Sequence, residues 1–365
     1  MFGHKRVPSR EGGVEVVVTE LANELEDRGH HVTCYNRAGR KPSGLNNNTS
    51  TLHLYPGVTT KEVWTINVRG LAAMTSSLSA ALCSALGKYD VVHIHAEGPA
   101  AMCWIPKLLG KRVVVTIHGL DWKRAKWGGF ASKYIKWGEK QAAKHADEII
   151  VLSKNVQDYF KTTYNRDTVY IPNGVGKPVI RPAHRIEGIW GLEKDSYVLF
   201  VGRIVPEKGI KYLVEAWNEI LTDKRLVIVG DSSDTDDYVK EVKSLAGDNV
   251  LFAGFQDGPV LEELFSNAYI YVLPSDVEGM SLSLLEAMSY GNCCLVSDIP
   301  ECAEITQDNA VVFRASDEVD LNSKLQILLT NPEEVDRLKK ATSEYIYKRF
   351  NWDDVVEKTL EIYGR

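Results

Sequence analysis

The sequence predicts an α/β protein of two doubly wound domains, and three observations support this fold class. Short apolar segments of strand length alternate with longer amphipathic segments almost from end to end, which is typical of parallel sheets covered by helices. The chain has 365 residues, enough for two domains of ordinary size. Proline and glycine are concentrated in Pro172–Arg185, which indicates a domain boundary.

Each strand candidate is a short, mainly apolar run that ends in polar or turn-forming residues. The candidates in the first half are His31–Tyr35, Thr51–Tyr55, Asp90–His95, Arg112–His118, Glu148–Leu152 and Thr168–Ile171. Those in the second half are Tyr197–Val201, Arg225–Val229, Val250–Phe252, Tyr269–Leu273, Cys293–Val296 and Ala310–Phe313. One sheet rarely holds twelve strands. Helices are predicted between them, for example at Val14–Arg28 and Gly209–Leu221.

We place an N-terminal domain at residues 1–178 and a C-terminal domain at residues 179–349. Only Met1 and Phe2 precede Gly3, so a strand before the first glycine loop would be very short. Ligands of doubly wound sheets bind at the carboxyl ends of the strands. We therefore expect the two domains to face each other across a cleft, with the site in the loops that follow strands.

Composition excludes several classes of protein. Hydrophobic residues make up 44% and charged residues 25%, which is ordinary for a globular protein and unlike disordered, collagenous or coiled-coil chains. No apolar run approaches the ~18 residues of a membrane helix. No signal peptide is visible, and the six cysteines have no zinc-binding spacing, so we expect reduced thiols and a cytoplasmic location.

Charge is distributed unevenly along the chain. The net charge of −6 argues against nucleic acid as a partner of the whole molecule. Residues 1–180 contain 24 Lys and Arg against 15 Asp and Glu, whereas residues 181–365 contain 19 against 34. The sign of the charge therefore changes close to the predicted domain boundary.

The most informative loop begins at Pro274, after the predicted strand Tyr269–Leu273, and opens a helix. Glu278 lies in this loop, and Glu286 lies one to two turns into the helix. The backbone N–H groups of Gly279–Leu282 fall at the helix N-terminus, which suits a phosphate. Each carboxylate taken singly is as well explained by a solvated side chain. Together with the glycine, the pair indicates a site.

Two cations lie in the loop Gly202–Gly209, which follows the predicted strand Tyr197–Val201. Arg203 and Lys208 are suited to neutralising a diphosphate leaving group. Glu207 could pair with either cation, so a salt bridge within the loop is the alternative interpretation.

Two weaker signals lie in the first half of the chain. The Gly12-Gly13 pair comes directly before the first predicted helix, where glycine lets the backbone approach a phosphate closely. Turns use such pairs constantly. His118 ends a predicted strand and would face the cleft, although a single histidine is more often structural.

Taken in order, several segments resemble the retaining glycosyltransferases of family GT4. They are Gly12-Gly13, His118-Gly119, Asn173-Gly174-Val175, Gly202–Gly209 and Glu278-x7-Glu286. The resemblance spans nearly the whole chain and implies the GT-B fold, in which two Rossmann-like domains face each other across a cleft. It also implies that a final helix within residues 350–365 packs back on the N-terminal domain. The segments 3–15 and 118–129 resemble bacterial members linked to cell-surface polysaccharides, including rhamnosyltransferases.

The resemblance implies how a nucleotide-sugar donor is held. Arg203 and Lys208 would bind the diphosphate of a UDP-, dTDP- or GDP-sugar, and the Gly12-Gly13 loop would approach the same group. Glu286 would bind the ribose hydroxyls, and Phe255 would contact the base.

The resemblance also implies which residues bind the sugar that is transferred. Glu278 would hydrogen-bond its hydroxyls, and His118 would do so near the reacting carbon. The remaining contacts with sugar and phosphate would come from the backbone amides of Gly279, Met280, Ser281 and Leu282.

The predicted reaction is retaining transfer of a sugar to a saccharide or lipid-linked saccharide in surface polysaccharide biosynthesis, without a cofactor. Placed cations would stabilise the departing diphosphate, and in the family that phosphate is the base for the acceptor hydroxyl. Asp234-Thr235-Asp236 matches the Asp-x-Asp signature of metal-dependent transferases, but a solvated loop and helix cap explain it better, so we expect no metal. The alternatives are a nucleotide-sugar epimerase of the same fold and a non-catalytic sugar-binding subunit.

Residues 121–145 form a basic stretch with interleaved aromatic residues. Phe130, Tyr134 and Trp137 have helical spacing, so one interpretation is that part of this stripe is core. The other is a surface that meets anionic lipid headgroups at the inner face of the cell membrane, where a lipid-linked acceptor would be found.

Overall fold

The computed structural model describes residues 1–39, 52–68, 70–123, 129–233 and 235–364. The described residues form two compact units. The N-terminal unit comprises those of 1–174 and 352–364, and the C-terminal unit comprises those of 175–351. Asp234 of the Asp-x-Asp segment and residues 124–128 of the basic aromatic stretch lie outside the described ranges.

The N-terminal unit contains two parallel sheets flanked by helices. Its strands are β1 (Thr33–Arg37), β2 (Thr59–Val63), β3 (Val91–His95), β4 (Arg112–Ile117), β5 (Glu148–Val151) and β6 (Val169–Tyr170). The helices are α1 (Gly13–Asp27), α2 (Leu71–Leu86), α3 (Glu97–Ala100), α4 (Trp104–Leu108), α5 (Gly129–His145) and α6 (Lys154–Tyr164). One sheet has the strand order β3-β4-β5-β6, and the other pairs β1 with β2.

Residues 1–2 lie between these two sheets. Phe2 forms a parallel bridge with Ile94 of β3, and on the other side the Tyr35 amide of β1 donates to the Met1 carbonyl over 2.9 Å. The resulting order is β2-β1-(1–2)-β3-β4-β5-β6, which reverses direction between residues 1–2 and β3. The single bridge of Phe2 with Ile94 therefore stands in the position of a first strand. The sequence indicated that a strand here would be very short.

The predicted strand Thr51–Tyr55 is wrong. Of this segment, residues 52–55 are described and form no strand, and the strand of this region is β2 at Thr59–Val63. Val63 alone among the five β2 residues is buried. Because β2 is an edge strand with most side chains in solvent, it lacks the apolar pattern by which the other strands are recognised.

The C-terminal unit is a single parallel sheet covered by helices. Its strands are β7 (Tyr197–Val201), β8 (Arg225–Val229), β9 (Val250–Gly254), β10 (Ile270–Leu273), β11 (Cys293–Ser297) and β12 (Val311–Phe313). Its helices are α7 (His184–Trp190), α8 (Ile210–Asn218), α9 (Asp236–Leu245), α10 (Gly258–Asn267), α11 (Leu282–Ser289), α12 (Pro300–Thr306), α13 (Glu318–Thr330) and α14 (Pro332–Arg349). The strand order is β12-β11-β10-β7-β8-β9. The predicted α/β class with parallel sheets is confirmed.

The last helix, α15 (Trp352–Gly364), belongs to the N-terminal unit. Val356 packs in one apolar cluster with Val18 and Leu25 of α1. The Arg112 guanidinium of β4 donates to the Ile362 carbonyl over 2.6 Å. The helix is thus held by apolar burial on one side and by a charged hydrogen bond near its end.

No helix among the described residues is long and apolar enough to cross a membrane. The six cysteines are free thiols, and of these Cys83 is exposed while the others are buried.

Gly209 lets the loop after β7 approach the loop after β10. Its φ is +66°, and a Cβ at this position would lie 1.9 Å from the Pro274 carbonyl oxygen. Gly191 has the same φ of +66° but no atom within 4 Å of such a Cβ. An alanine would therefore have the same unfavourable φ at either position, but only at Gly209 would its Cβ also meet other atoms.

We expect Gly209→Ala to lower the urea midpoint of unfolding more than Gly191→Ala. Placing alanine at this φ costs about 1–2 kcal/mol at either position, and Gly209→Ala adds a clash with backbone atoms that cannot rotate away. Equal losses in the two variants would show that the loops do not approach each other at Gly209.

Candidate active site

The strand order of the C-terminal unit reverses between β7 and β10. These two strands are neighbours, and the chain continues from β7 to β8 and β9 on one side and from β10 to β11 and β12 on the other. At such a reversal the loops leave the sheet in opposite directions, and ligands of doubly wound folds bind there. The loops at this point are residues 202–209 after β7 and 274–281 after β10.

A buried ion pair joins the two loops. The Lys208 Nζ donates to Glu278 Oε1, and the two side chains are only 11% and 8% exposed. The Ser275 hydroxyl donates to the same carboxylate oxygen over 2.7 Å. The Asp276 amide also donates to the Glu207 carbonyl over 2.9 Å, so backbone and side chains together fix the position of Glu278.

The alternative interpretation of this loop, a salt bridge of Glu207 with Arg203 or Lys208, is wrong. Lys208 pairs with Glu278, which is 70 residues away in the sequence. The Glu207 carboxylate is buried, and neither oxygen has a hydrogen-bond partner among the described residues. Sequence spacing could not show this, because the pair depends on β7 and β10 being neighbours.

Glu278 and Glu286 both act electrostatically on one buried phenol, that of Tyr271. Tyr271 of β10 donates its hydroxyl hydrogen bond to Ser283 Oγ over 2.9 Å. Burial is the main cause that raises the pKa of Tyr271, and the nearby charges of Glu278 and Glu286 add to it. Both carboxylates selected from the sequence are thus near enough to Tyr271 of β10 to act on its pKa.

The other predicted residues of this unit lie at the same edge of the sheet. Gly279–Leu282 lead into α11, whose first turn is capped by Ser281 Oγ, which accepts from the Leu284 amide over 3.4 Å. Arg203 directly follows Gly202 after β7 and is partly exposed, and Phe255 directly follows β9 and is partly buried.

In the N-terminal unit, histidines gather where the strand order reverses. His95 is the last residue of β3, and His118 directly follows β4. His95 Nδ1 lies 3.1 Å from His118 Nε2, and the His93 ring stacks on His95 with centroids 4.2 Å apart. The sequence singled out His118 alone. The His93-x-His95 spacing was a signal for the others, since alternate residues of a strand share one face.

Burial keeps the rings of His93 and His95 neutral. It lowers the pKa of His93 to about 3 and the pKa of His95 well below its usual value. His4, which follows residues 1–2 and bonds Asn36 Oδ1 through Nε2 at 3.0 Å, has its pKa lowered to about 3 by the same cause. His4, His93 and His95 are therefore uncharged hydrogen-bonding groups near neutral pH.

The Gly12-Gly13 pair starts α1. Gly12 is the N-cap in extended backbone, with a φ of −162°, so its conformation does not demand glycine. A Cβ at Gly12 would lie 2.5 Å from Glu15 Oε2, a contact with the end of a flexible side chain. The buried Glu15 carboxylate in turn accepts from the Lys5 amide over 2.8 Å.

Within the basic aromatic stretch, residues 129–145 form α5, and the aromatic residues of this helix divide between its two faces. Tyr134 is partly buried, whereas Phe130 is 78% and Trp137 42% exposed. The acidic Glu139 is fully buried and accepts hydrogen bonds from Tyr159 and Tyr164. The exposed side also carries the lysines Lys133, Lys136, Lys140 and Lys144. The helix therefore presents a basic and aromatic surface without an acidic residue.

Acid is expected to destabilise the N-terminal unit. The unfolded chain takes up a proton at histidine below about pH 6.5, while a ring with a folded pKa of about 3 stays neutral. Stability is therefore complete above pH 6.5 and is lost as the pH falls towards 3. Between pH 7 and pH 5, His4 and His93 should each account for a loss of about 2 kcal/mol.

Urea unfolding at pH 7 and pH 5 measures this loss. His4→Gln should reduce the difference between the two pH values by about 2 kcal/mol, whereas His30→Gln, at an exposed position, should leave it unchanged. A pH dependence in His4→Gln equal to that of the unsubstituted protein would contradict a buried neutral His4.

Two family models match the chain, one on each half. The model described as Glycosyltransferase Family 4 matches residues 11–176, and that described as Glycosyl transferases group 1 matches residues 184–345. Together they cover most of both units.

Curated relatives and solved structures agree with these models. The chain is 28% identical over 305 residues to α-maltose-1-phosphate synthase of Mycolicibacterium smegmatis, covering 75% of this chain and 79% of the relative. It is 29% identical over 295 residues to a UDP-Gal:α-D-GlcNAc-diphosphoundecaprenol α-1,3-galactosyltransferase of Escherichia coli, covering 76% and 75%. Anabaena HepE, solved with UDP and glucose, superposes with a TM-score of 0.82 at 16% identity, covering 100% and 98%.

The names of these relatives favour glycosyl transfer over the two alternatives, an epimerase and a non-catalytic subunit. The chain therefore belongs to the GT4 family of glycosyltransferases, has the GT-B fold, and acts in nucleotide-sugar-dependent glycosyl transfer.

Proposed function

We propose that this glycosyltransferase moves a sugar, with retention and without a metal ion, from a nucleoside diphosphate to a saccharide or lipid-linked saccharide acceptor. The observation that carries the proposal is the buried Lys208–Glu278 pair at the strand-order reversal of the C-terminal unit. It places a cation and a hydrogen-bond acceptor side by side where ligands of this fold bind.

The charges of this site suit a diphosphate leaving group. Cleavage of a glycosyl–phosphate bond develops negative charge on the phosphate, which preorganised cations stabilise strongly in a buried site. Lys208 would supply one cation and Arg203 the other, with the start of α11 adding backbone N–H groups. Glu286 would bind the ribose, and the Gly12-Gly13 loop would approach the diphosphate.

Glu278 fits sugar binding better than nucleophilic attack. Its carboxylate already accepts from Lys208 and Ser275, which lowers its reactivity and fixes its direction. It would accept a hydrogen bond from a sugar hydroxyl, while His118 would contact the sugar near the reacting carbon. The departing phosphate would serve as the base for the acceptor hydroxyl.

Thr235 and Asp236 of the Asp-x-Asp segment make contacts within the protein. The Thr235 hydroxyl donates to the Ile204 carbonyl over 2.7 Å, and Asp236 begins α9 and accepts from Ser232. We therefore assign the neutralisation of the diphosphate to Lys208 and Arg203 rather than to a metal ion.

A UDP-sugar is the donor we propose first, with dTDP- and GDP-sugars as the alternatives. One relative is named for UDP-galactose, and a structural neighbour was solved with UDP-glucose. Rhamnosyl transfer to a surface polysaccharide, indicated by segments 3–15 and 118–129, would instead use dTDP-rhamnose.

The donor is identified by a thermal-shift screen with UDP-glucose, UDP-galactose, GDP-mannose and dTDP-rhamnose. A ligand that binds the native state raises the melting temperature, so we expect a rise with one class of nucleotide. No rise and no nucleotide release with any of the four would overturn the proposed function.

Glu286→Ala should reduce turnover of that donor by at least a hundredfold and leave the melting temperature nearly unchanged. Lys208→Ala should also abolish turnover, but it should destabilise the protein by about 3–5 kcal/mol because it leaves Glu278 buried without its partner. Glu333→Ala, which removes an exposed glutamate of α14, is the matched control. Near-normal turnover in both site variants would refute the assignment.

We further propose that α5 brings the enzyme to the cytoplasmic face of the membrane. Lysines with interfacial aromatic residues favour anionic headgroups, and one relative is named for an acceptor on a lipid diphosphate.

Vesicles that contain phosphatidylglycerol should sediment the protein, and added salt should release it. Lys133→Ala combined with Lys140→Ala should weaken binding by about tenfold or more, because each basic residue near the surface contributes about 1 kcal/mol. Lys177→Ala combined with Lys194→Ala, at exposed positions outside α5, should have no effect. Equal sedimentation with vesicles of phosphatidylcholine alone would remove the proposal.

A further inference from the structure

Two hydrogen bonds between neighbouring side chains, His93 with Thr116 and His95 with His118, follow from the pairing of β3 with β4. His95 is in register with Thr116, and His93 and His95 share one face of β3 because they are two residues apart. The His93 ring reaches Thr116 Oγ1 through Nε2 at 2.7 Å. Two residues further along both strands, the His95 ring reaches the His118 ring at 3.1 Å.

The His95 ring is held more firmly than a side chain at a strand end usually is. It is completely buried, and its own amide donates to the Phe2 carbonyl over 2.8 Å. The His93 ring stacks on it. His93 is itself fixed at both nitrogens, since Nδ1 bonds the Tyr363 hydroxyl of α15 at 2.7 Å and Nε2 bonds Thr116.

The surroundings of His95 decide where its proton lies. A neutral imidazole has one N–H and one lone pair. His95 Nε2 is buried and has no hydrogen-bond partner among the residues that the structure describes. A buried N–H without an acceptor is rarer in proteins than an unused acceptor, so the proton belongs on Nδ1, which faces His118.

We propose that His95 is a positioning residue: its Nδ1–H donates to His118 Nε2 and thereby holds the His118 ring in place as the tautomer protonated on Nδ1. In this tautomer Nδ1 of His118 is a hydrogen-bond donor and not an acceptor. In the proposed reaction this N–H donates to a hydroxyl of the donor sugar. As a statement about catalysis, the inference rests on the proposed role of His118.

The tautomer is measured directly by nitrogen NMR of the full chain labelled with ¹⁵N-histidine, with His95 and His118 assigned from the His95→Asn and His118→Ala variants. We expect His118 to carry its proton on Nδ1 at neutral pH, and His95 likewise. A wild-type protein in which His118 is protonated on Nε2 would overturn the proposal. This measurement needs no donor and no variant that must keep its activity.

Kinetics then test whether the hydrogen bond matters for turnover. Asparagine places an amide N–H close to the position of Nδ1, whereas leucine fills a similar volume without a donor. We expect His95→Leu to lower kcat about ten- to hundredfold, as for other groups that orient a functional histidine, with the KM for the donor within about threefold. His95→Asn should recover most of that loss and keep the Nδ1–H tautomer of His118.

Comparison with His118→Ala separates two kinds of failure. If His118→Ala turns over like the wild type, the proposed role of His118 is wrong, and the NMR result alone decides whether His95 positions it. If His118→Ala is impaired but His95→Leu is not, His95 has no positioning role. Equal losses in His95→Leu and His95→Asn at unchanged melting temperature would show that the ring itself, and not its N–H, is required, which also overturns the proposal.

Discussion

The reversal of strand order between β7 and β10 is the constraint on which the C-terminal unit depends. Because β8 and β9 lie on one side and β11 and β12 on the other, the loops after β7 and β10 are the two that meet at the carboxyl edge. Their backbones touch at Gly209 and Pro274, where there is no room for a Cβ. The ion pair of Lys208 with Glu278 follows from that approach.

A buried ion pair contributes little net stability, since desolvation of both charges offsets most of their attraction. Its effect here is to fix the orientation of the Glu278 side chain, which accepts hydrogen bonds from Lys208 and Ser275. The Ser275 carbonyl in turn accepts a hydrogen bond from the Ser297 hydroxyl at the end of β11. Preorganised charges of this kind stabilise charge that develops during a reaction without further rearrangement. The cost of burying Lys208 and Glu278 is therefore consistent with their proposed role in cleavage of the donor.

In the N-terminal unit, uncharged side chains are fixed in orientation at a strand-order reversal. Its strand order also reverses, between residues 1–2 and β3. Histidines gather there, and burial lowers the pKa values of His4, His93 and His95. A hydrogen-bonded network of uncharged rings avoids the desolvation of full charges and still specifies one arrangement. The hydrogen bond between His93 and Tyr363 connects this network to α15, so the last helix helps to hold the His93 ring in place.

The sequence by itself determined the α/β class, nearly all strand positions and the two loops that carry Lys208 and Glu278, because strand periodicity and glycine-rich turns are local signals. It missed β2, whose exposed side chains carry no apolar pattern. The tertiary structure alone decided that Lys208 pairs with Glu278 rather than with Glu207, and that His95 lies against His118. Both contacts join residues on different strands, and which strands become neighbours depends on packing of the whole sheet, which no local spacing records.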